Sequence, residues 1–246
     1  MTKTNVRSRL GYLIVAIGLG LRLSYPAAAA EPLSFGVLAA PPYGLEREDK
    51  TVSGLNRDFA ALIAAKVGLT LDYRLEPLAR LVSDIRVGRL DLMMMIARDD
   101  VKQFVVAEIM PNDTVVVMKP GSSIAQYADL KGKTVAVLRG AIYDQRFASD
   151  DEIKKYEVDS YAIGLRMTKG GRVDGMIGPD FGLYYQMGLE GMKRDEFGTP
   201  LILNTRMVTL LGSNSITPEL AAKLKAAVEE LRSSGAIAAA AAKYVN

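Results

Sequence analysis

The side chains available for chemistry in this 246-residue chain exclude several classes of active site, because the chain has neither His nor Cys. The absence of His excludes a Ser-His-Asp triad, imidazole acid–base catalysis and His-ligated metals. The absence of Cys excludes disulfides, thiolate nucleophiles, iron–sulfur clusters and Cys-type zinc sites. Any chemistry must therefore come from Asp, Glu, Lys, Tyr, Ser or Thr, and no metal or other cofactor is indicated.

Residues 1–30 have the pattern of a cleaved secretory signal peptide. A basic start precedes the apolar run from Leu10 to Leu21, and Ala28 and Ala30 fit the small-x-small rule for signal peptidase. The alternative is a membrane anchor, but the apolar run is shorter than the roughly 20 residues that span a bilayer. A lipid anchor is excluded because no Cys follows the segment. We therefore expect a soluble protein in the periplasm.

Removal of the signal peptide changes the sign of the net charge. The segment contains four of the 31 basic side chains and none of the 28 acidic ones, which leaves 27 basic side chains against 28 acidic. A mature chain near neutrality has no positive field to attract nucleic acid, so we expect no nucleic-acid partner. With 49% hydrophobic residues, it has enough apolar material for one large domain or two small ones.

Strand and helix patterns alternate along the rest of the chain, once before Thr114 and again after it. Short runs of alternating or continuous apolar residues predict the strands, and apolar stripes ending at glycines predict the helices. Strands are predicted at residues 33–37, 69–75, 90–96, 114–118, 134–138, 173–177 and 201–211. Helices are predicted at residues 54–68, 77–88, 161–169, 181–187, 217–235 and 236–244, and after Gly140.

This alternation indicates βαβ units with parallel strands and right-handed crossovers. Because the rhythm occurs twice, two small α/β lobes fit it better than one large sheet. Asp91 and Asp174 open strands at matching places in the two halves. We interpret both carboxylates as structural.

Six stretches of the chain resemble motifs of the periplasmic solute-binding proteins of the polar amino-acid type, bacterial extracellular family 3. Each motif is weak alone, but all six occur in the family's order and span residues 33–246. They are the turn Ala40-Pro41-Pro42-Tyr43, the helix from Ser53 to Gly68, I-R-V-G-R-L-D at 85–91, D-L-K-G-K-T-V-A-V at 129–137, G-R-V-D-G at 171–175, and the closing helices at 217–244.

The resemblance implies an α/β fold in the form of a two-lobed clamshell, the type II periplasmic-binding-protein fold. The first lobe would comprise residues 31–112 and 207–246, and the second residues 118–206. Two crossover strands, near 113–118 and 206–212, would form the hinge. The ligand would bind between the lobes at strand ends and helix N-termini, where free N–H groups attract a carboxylate, and hinge closure would bury it.

In the first lobe, the family holds the α-carboxylate of an amino acid with an Arg in the motif T-x-T-x-E-R. The corresponding segment here, Met93 to Gln103, lacks the hydroxyl residues, and either Arg98 or Lys102 takes the place of that Arg. Arg98 is favoured because only a guanidinium can form the bidentate fork. The alternative is that both are solvated charges at a helix start. The departure from the motif puts amino-acid recognition itself in question.

In the second lobe, Arg139, Gly140 and Ala141 stand where the family has a Gly followed by hydroxyl residues. The Gly and the backbone amides remain, and Arg139 either supplies a replacement charge or faces solvent. Asp180 lies one place beyond the family's Asp, which binds the ligand's ammonium. It either keeps that role or caps the helix that starts at Phe181.

Tyr43 occupies the family's position for a residue that lines the cleft, where its ring could cover an apolar or cationic part of the ligand. The alternative is a tyrosine packed in the turn. Met93, Met94 and Met95 are interpreted as a buried strand. If one of them faces the cleft, its adaptable thioether would suit a less polar ligand.

The resemblance implies a solute receptor that captures a small polar compound, such as an amino acid, for the membrane permease of an ABC importer. We expect a monomer. One alternative is an accessory or sensory periplasmic protein whose ligand site has degenerated. Another is a dehydratase-type enzyme on the same scaffold, but that chemistry needs a placed general acid. No carboxylate in the cleft motifs is an obvious candidate, so we expect the chain not to be an enzyme.

Overall fold

Most element boundaries follow the apolar patterning of the chain, but the strand at Lys154–Val158 was not predicted, and the strand predicted from Thr114 begins at Val105. The computed structural model describes residues 1–2, 31–96 and 98–244, so nearly all of the predicted signal peptide lies outside the described residues. The chain from Glu31 onward forms one compact unit. No described helix combines the length and apolar character needed to cross a bilayer.

The described residues form ten strands, of which eight join in one mixed sheet. The strands are β1 (Leu33–Leu38), β2 (Leu45–Glu46), β3 (Val52–Ser53), β4 (Leu71–Glu76), β5 (Leu92–Ile96), β6 (Val105–Met118), β7 (Thr134–Leu138), β8 (Lys154–Val158), β9 (Gly175–Pro179) and β10 (Gly198–Gly212). The order across the large sheet is β4-β1-β5-β10-β6-β9-β7-β8, and β2 pairs with β3 in a small hairpin.

The sheet is parallel towards its two edges and antiparallel in its middle. β1 runs parallel to β4 and β5, and β7 runs parallel to β8 and β9, as the βαβ rhythm predicts. The long strands β6 and β10 pair with each other in opposite directions. Each also pairs antiparallel with one strand beside it, β10 with β5 and β6 with β9. Among the described strands, the two halves of the sheet are thus joined through the long central pair.

Seven α-helices follow the strands in the described part of the chain. They are α1 (Leu55–Val67), α2 (Leu78–Arg86), α3 (Gln145–Ser149), α4 (Tyr161–Lys169), α5 (Asp180–Leu189), α6 (Pro218–Ser233) and α7 (Ala236–Ala242). Their ends match the predicted signals. The Thr217 hydroxyl caps α6 by accepting the N–H of Leu220 at 3.2 Å, and Gly68 ends α1 with a φ of 73°.

Four hydrophobic clusters make up the core, two in each half of the sheet. In the first half, one cluster surrounds Phe59 between β1, β5, α1 and α6, and the other surrounds Leu81 beneath α2. In the second half, one surrounds Leu165 beneath α4 and the other surrounds Leu130 beside β6 and β7. Phe181 of α5 joins the first of these clusters from the second half.

Asp91 and Asp174 tie the starts of their strands to neighbouring segments, as the sequence predicts. Asp91 Oδ2 accepts the N–H of Ser34 at 2.9 Å, and its Oδ1 accepts the hydroxyl of Ser215 at 2.6 Å. Asp174 Oδ2 accepts the N–H of Thr134 at 2.8 Å, and its Oδ1 lies 2.7 Å from Lys119 Nζ. The two carboxylates therefore serve the sheet.

Candidate functional site

A cavity of about 310 Å³ lies where the two halves of the sheet meet. Its walls come from the ends of β1, β5 and β9, the middle of β6 and β10, the starts of α1 and α2, and the loop after β7. The carboxyl ends of strands and the helix starts that follow them are where open α/β sheets bind ligands. Because ligand pockets run from about 300 to 1,000 Å³, this volume suits a small organic molecule.

Most of the cavity wall is apolar. Met94 and Met95 are neighbours on β5, so their side chains leave the strand on opposite faces, and both contribute to the wall. Met94 packs in the cluster of Phe59 and Met95 in the cluster of Leu81. The other aliphatic lining residues are Leu38, Leu78, Ile96, Ile142, Pro179 and Val208. The methionine run is thus a buried strand, as predicted. Met94 is fully buried behind the cavity wall, whereas Met95 is 8% exposed.

Three buried polar side chains interrupt the apolar wall, namely Asn56, Asn112 and Thr114. Asn56 Nδ2 donates to the Met94 carbonyl at 3.4 Å, and Asn112 Nδ2 donates to the Asp113 carbonyl at 3.2 Å. Asn112 is 2% exposed and Thr114 6%. None of the three was predicted from the sequence. The signal for two of them was present, since polar residues inside a buried β run require a partner.

Tyr43 contributes to the cavity wall, in the position that the sequence predicts. Its turn is fastened to the start of α1, because the carbonyl of Tyr43 accepts the N–H of Asn56 at 3.0 Å. Its hydroxyl donates to Asn112 Oδ1 at 3.4 Å. Burial, followed by the negative charge of Asp180 and the nearby Tyr143, raises the pKa of Tyr43 above its usual value. The tyrosine is thus both packed and part of the cavity.

Tyr143 faces Tyr43 from the other half of the sheet and was not predicted. Its hydroxyl lies 2.6 Å from the hydroxyl of Tyr161 at the start of α4. Asn204 of β10 donates from Nδ2 to the Tyr143 carbonyl at 3.3 Å and to Asp144 Oδ2 at 2.8 Å. Burial raises the pKa of both tyrosines. The loop after β7 is therefore fixed to both α4 and β10.

The two candidates for the carboxylate clamp lie at different places. Arg98 contributes to the cavity wall, and its guanidinium forms a fork with Asp100. Lys102 lies in a short 3-10 helix at residues 102–104, is largely exposed, and is 4.0 Å from Asp99. Lys102 is not among the described lining residues, whereas Arg206 of β10, which was not predicted from the sequence, is.

The predicted Arg139-Gly140-Ala141 segment forms the turn that leads into the cavity loop. Arg139 is exposed and pairs with Glu157 at 2.7 Å and Asp159 at 2.9 Å. Gly140 has a φ of 73°, and the N–H of Ala141 donates to the Leu138 carbonyl at 2.9 Å. None of the three is among the described residues lining the large cavity. Ala141 lines a neighbouring cavity of about 260 Å³ that shares Ile142 and Tyr143 with it.

Asp180 is the first residue of α5 and lies beside the cavity rather than among its described lining residues. Its Oδ1 accepts the N–H of Phe181 at 2.8 Å, and its carboxylate also accepts a hydrogen bond from the backbone of Asp113. Burial is the main reason that the pKa of Asp180 is raised from 3.8 to about 6. The hydrogen bond from Phe181 lowers the pKa, and the negative charge of Asp113 raises it further.

The assembled site can hold a small molecule by apolar contact and a few directed polar groups. It brings together Tyr43 and Arg98 of the predicted residues, keeps Asp180 next to them, and leaves Lys102 and Arg139 outside. Within the described residues, no cluster of three or more acidic side chains is arranged to hold a metal ion.

Comparison with known proteins gives a consistent result. A family model of bacterial extracellular solute-binding proteins, family 3, matches residues 33–246. The L-arginine-binding protein of Pseudomonas aeruginosa is 28% identical to this chain, with 91% of each chain covered. The probable amino-acid-binding protein YxeM of Bacillus subtilis is 25% identical, covering 81% of this chain and 78% of that protein.

The fold is similar to that of an ancestral cationic amino acid solute binding protein, AncCDT-1, with a TM-score of 0.71 and 17% identity. The superposition covers 87% of this chain and 96% of that one. Another crystal structure of AncCDT-1 describes it as a precursor of cyclohexadienyl dehydratase. At this identity the likeness concerns the fold, and these structures are two-lobed binding proteins.

Proposed function

The chain belongs to the bacterial extracellular solute-binding proteins, family 3, and we propose that it holds one small organic solute, such as an amino acid or a related compound, in the cavity between Tyr43, Met94 and Tyr143. The observation that carries this proposal is the cavity itself. It has room for a small molecule, and its walls come from both halves of the sheet. A site that had lost its ligand and been filled by its own side chains would leave no such space.

The two halves act as lobes in this proposal. The first lobe comprises residues 31–112 and 207–246, and the second residues 118–206. The division is supported by the hydrophobic clusters, which separate in the same way with two exceptions. Phe181 packs in the first half, and the hinge residues Val115, Val116 and Val117 pack with the second half. The hinge is assigned to residues 113–118 and 206–212, within the two long strands that join the halves.

Ligand-linked closure follows from this arrangement. A solute that contacts Tyr43 and Met95 on one lobe and Tyr143 on the other adds attraction across the cleft, which favours the closed form over the open one. A membrane permease of an ABC importer can then distinguish loaded from empty protein by shape. We place the mature protein in the periplasm, as a monomer, after cleavage of residues 1–30.

The contacts of Asp180 favour binding over catalysis. Burial raises the pKa of its carboxyl group, as a general acid requires. Its Oδ1 is engaged by the N–H of Phe181, and the carboxylate lies outside the described lining of the cavity. A general acid must reach the reacting atom, and this one is held by the protein's own backbone. We therefore propose a receptor and not a dehydratase.

A thermal-shift screen of amino acids, organic acids and amines tests the proposal, because a ligand that binds only the folded state raises the melting temperature. We expect at least one compound to raise it, and the same compound to be recovered chemically unchanged. Small-angle scattering should show a more compact particle when that compound is bound. Turnover of the compound would contradict the receptor function, and the absence of any stabilising compound would contradict solute binding.

A further inference from the structure

The charged side chains at the cavity are engaged within the chain itself. The guanidinium of Arg98 forms its fork with Asp100, at 3.1 and 2.9 Å. Arg206, the other charged residue of the described lining, also has an interaction partner. Asp180, beside the cavity, accepts the N–H of Phe181 at 2.8 Å. A charged ligand group would have to compete with these contacts, and an anion would also approach the carboxylate of Asp100.

The uncharged polar side chains of the wall have spare hydrogen-bonding capacity. Asn56 is 3% exposed, and its described side-chain hydrogen bond, from Nδ2 to the Met94 carbonyl, is long at 3.4 Å. Asn112 accepts the hydroxyl of Tyr43 at a similarly long 3.4 Å. No described hydrogen bond uses Asn56 Oδ1 or the hydroxyl of Thr114, although both residues line the cavity.

This spare capacity is open to the cavity. Two fully buried side-chain atoms in the described part of the chain lack a hydrogen-bond partner, Glu76 Oε2 and Asn204 Oδ1, and neither residue belongs to the described lining. The unpartnered oxygens of Asn56 and Thr114 are therefore reachable from the cavity that these residues line. The first accepts a hydrogen bond, and the second both donates and accepts, without a charge on either.

A wall of this kind favours an uncharged solute. A carboxylate or ammonium loses its hydration on entering a largely apolar cavity, and each charge of the described lining already has a partner. An amide or hydroxyl loses less, and its hydrogen bonds to neutral side chains restore part of the loss. The apolar part of such a solute gains by contact with Leu78, Met95 and Ile142.

We propose that the solute is an uncharged compound with amide or hydroxyl groups on a small apolar body, recognised by the neutral side chains of Asn56, Asn112 and Thr114. The proposal rests on the solute-binding function argued above and specifies its ligand class. The Nη1 group of Arg98, which lies outside the fork with Asp100, can add a hydrogen bond to an uncharged carbonyl oxygen.

The test uses four forms of one molecular body that differ in charge. Leucine is a zwitterion, N-acetyl-leucine an anion, leucinamide a cation at about pH 6, and N-acetyl-leucinamide is uncharged. N-acetyl-leucine and N-acetyl-leucinamide have nearly the same size, so they form the matched pair. The corresponding forms of phenylalanine extend the series to an aromatic body. Each compound is titrated calorimetrically into the wild-type protein.

We expect N-acetyl-leucinamide or N-acetyl-phenylalaninamide to bind at least about tenfold more tightly than the charged forms of the same body. A smaller difference, or the reverse order, would overturn the ligand class and leave solute binding standing. The same holds if a charged compound from the wider screen binds more tightly than its own uncharged derivative. If no compound binds in either set, both the ligand class and solute binding fail.

Two threonine substitutions separate recognition from stability. Thr114→Val removes a hydroxyl that no described hydrogen bond uses. We expect its melting temperature to be unchanged or higher, and its affinity for the tightest uncharged compound to fall by about threefold or more. Thr168→Val is the matched control, because Thr168 is fully buried in α4 and its hydroxyl donates to the Gly164 carbonyl at 2.8 Å. It should lower the melting temperature and leave the affinity unchanged. Equal affinities of Thr114→Val and wild type would overturn the proposed recognition.

A charge at the cavity mouth gives a further readout. Ile142 lines the cavity and is 67% exposed, so Ile142→Asp and Ile142→Asn should both fold normally. The uncharged compound should bind these two variants equally, whereas N-acetyl-leucine should bind the Asp variant more weakly than the Asn variant. Leu189→Asp controls for the change in net charge, because Leu189 is 63% exposed and lies outside the described lining. If the tightest ligand distinguishes Ile142→Asp from Ile142→Asn, the uncharged class is wrong.

Discussion

Arg98 and Asp100 form a two-point ion pair at the edge of the cavity, with Nε 3.1 Å from Oδ1 and Nη2 2.9 Å from Oδ2. The hydrogen bond from Arg98 holds the pKa of Asp100 below its usual value. Arg86 pairs with the same carboxylate from α2. The side chains of Arg98 and Arg86 are 44% and 41% exposed, but only Arg98 contributes to the described cavity wall.

This geometry gives a matched pair of substitutions. Arg98→Ala should lower the affinity for the ligand by about tenfold or more, since a hydrogen bond to a charged group contributes roughly 1.5–3 kcal/mol. Arg86→Ala should leave the affinity unchanged, although it removes a guanidinium from the same Asp100. Calorimetric titration of both variants measures the difference. Equal effects of the two substitutions would remove Arg98 from the site.

The hydroxyl pair of Tyr143 and Tyr161 should stabilise the loop after β7. Tyr143→Phe should lower the free energy of unfolding by about 0.5–1.5 kcal/mol, because it removes one partner of a buried hydrogen bond. Tyr161→Phe should do the same, and the double variant should lose less than the sum of the two. Urea unfolding of the three variants measures this. Strict additivity would mean that the two hydroxyls do not interact in solution.

Gly54 should be required for the placement of Tyr43. Its φ is 119°, and a Cβ there would lie 2.7 Å from the Tyr43 carbonyl oxygen. Gly68 also has a positive φ, 73°, but a Cβ there meets nothing within 4 Å. We expect Gly68→Ala to cost about 1–2 kcal/mol of stability and no affinity.

Gly54→Ala should cost more stability than Gly68→Ala and should also weaken ligand binding, because the backbone of Tyr43 must move to make room. Urea unfolding and calorimetric titration of both variants give the two quantities. Unchanged affinity in Gly54→Ala would show that the turn does not position the ligand.

Asp180 should impose its own pH dependence on stability. Its folded-state pKa of about 6 lies above the ordinary value of 3.8, because burial disfavours the charged form and Asp113 adds a like charge. The folded state then binds the proton more tightly than the unfolded state. The cost of burying the charged carboxylate is therefore relieved, and stability rises, as the pH falls from about 7 to about 5. Asp180→Asn should abolish that contribution while its side-chain oxygen still accepts the N–H of Phe181.

The measurement is the melting temperature of wild type and variant across that pH range. The wild type should gain relative to Asp180→Asn by a few degrees on acidification. Asp91→Asn is the control. Burial raises the pKa of Asp91, but hydrogen bonds from Ser215 and Ser34 outweigh it and lower the pKa below 3.8. Asp91 therefore titrates below the range, and Asp91→Asn should keep the wild-type slope. Parallel curves for wild type and Asp180→Asn would contradict the account.

The helices and strands that were predicted from the sequence are those in which the spacing of apolar residues and the end signals indicate the same element. Gly68 marks the end of α1 through its left-handed backbone, and Thr217 marks the start of α6 through its hydroxyl. Both signals depend only on neighbouring residues, so they can be recognised in the sequence. β8 (Lys154–Val158) was missed, because it lies at the sheet edge and its charged, exposed side chains hide the strand pattern. β6 begins at Val105 and not at Thr114, since its first part is stabilised by pairing with β10, a contact far along the chain.

The site was predicted less completely than the fold. Tyr43 and Arg98 were predicted from their places in family motifs, and both line the cavity that we propose as the site. Tyr143, Asn112 and Arg206 were missed, because their proximity results from the packing of two halves that are separate in sequence. Local pattern contains no information on which strand of one half faces which loop of the other.

Calorimetric titration of the most stabilising compound from the screen, into wild type and Ile142→Trp, tests the central claim most directly. Ile142 is exposed at the mouth of the cavity, where a larger ring fills the space without disturbing the core. The account predicts one ligand per wild-type chain and a loss of at least about tenfold in affinity for Ile142→Trp, with no loss for Leu189→Trp. Equal affinity for wild type and Ile142→Trp would contradict the assignment of this cavity as the solute site.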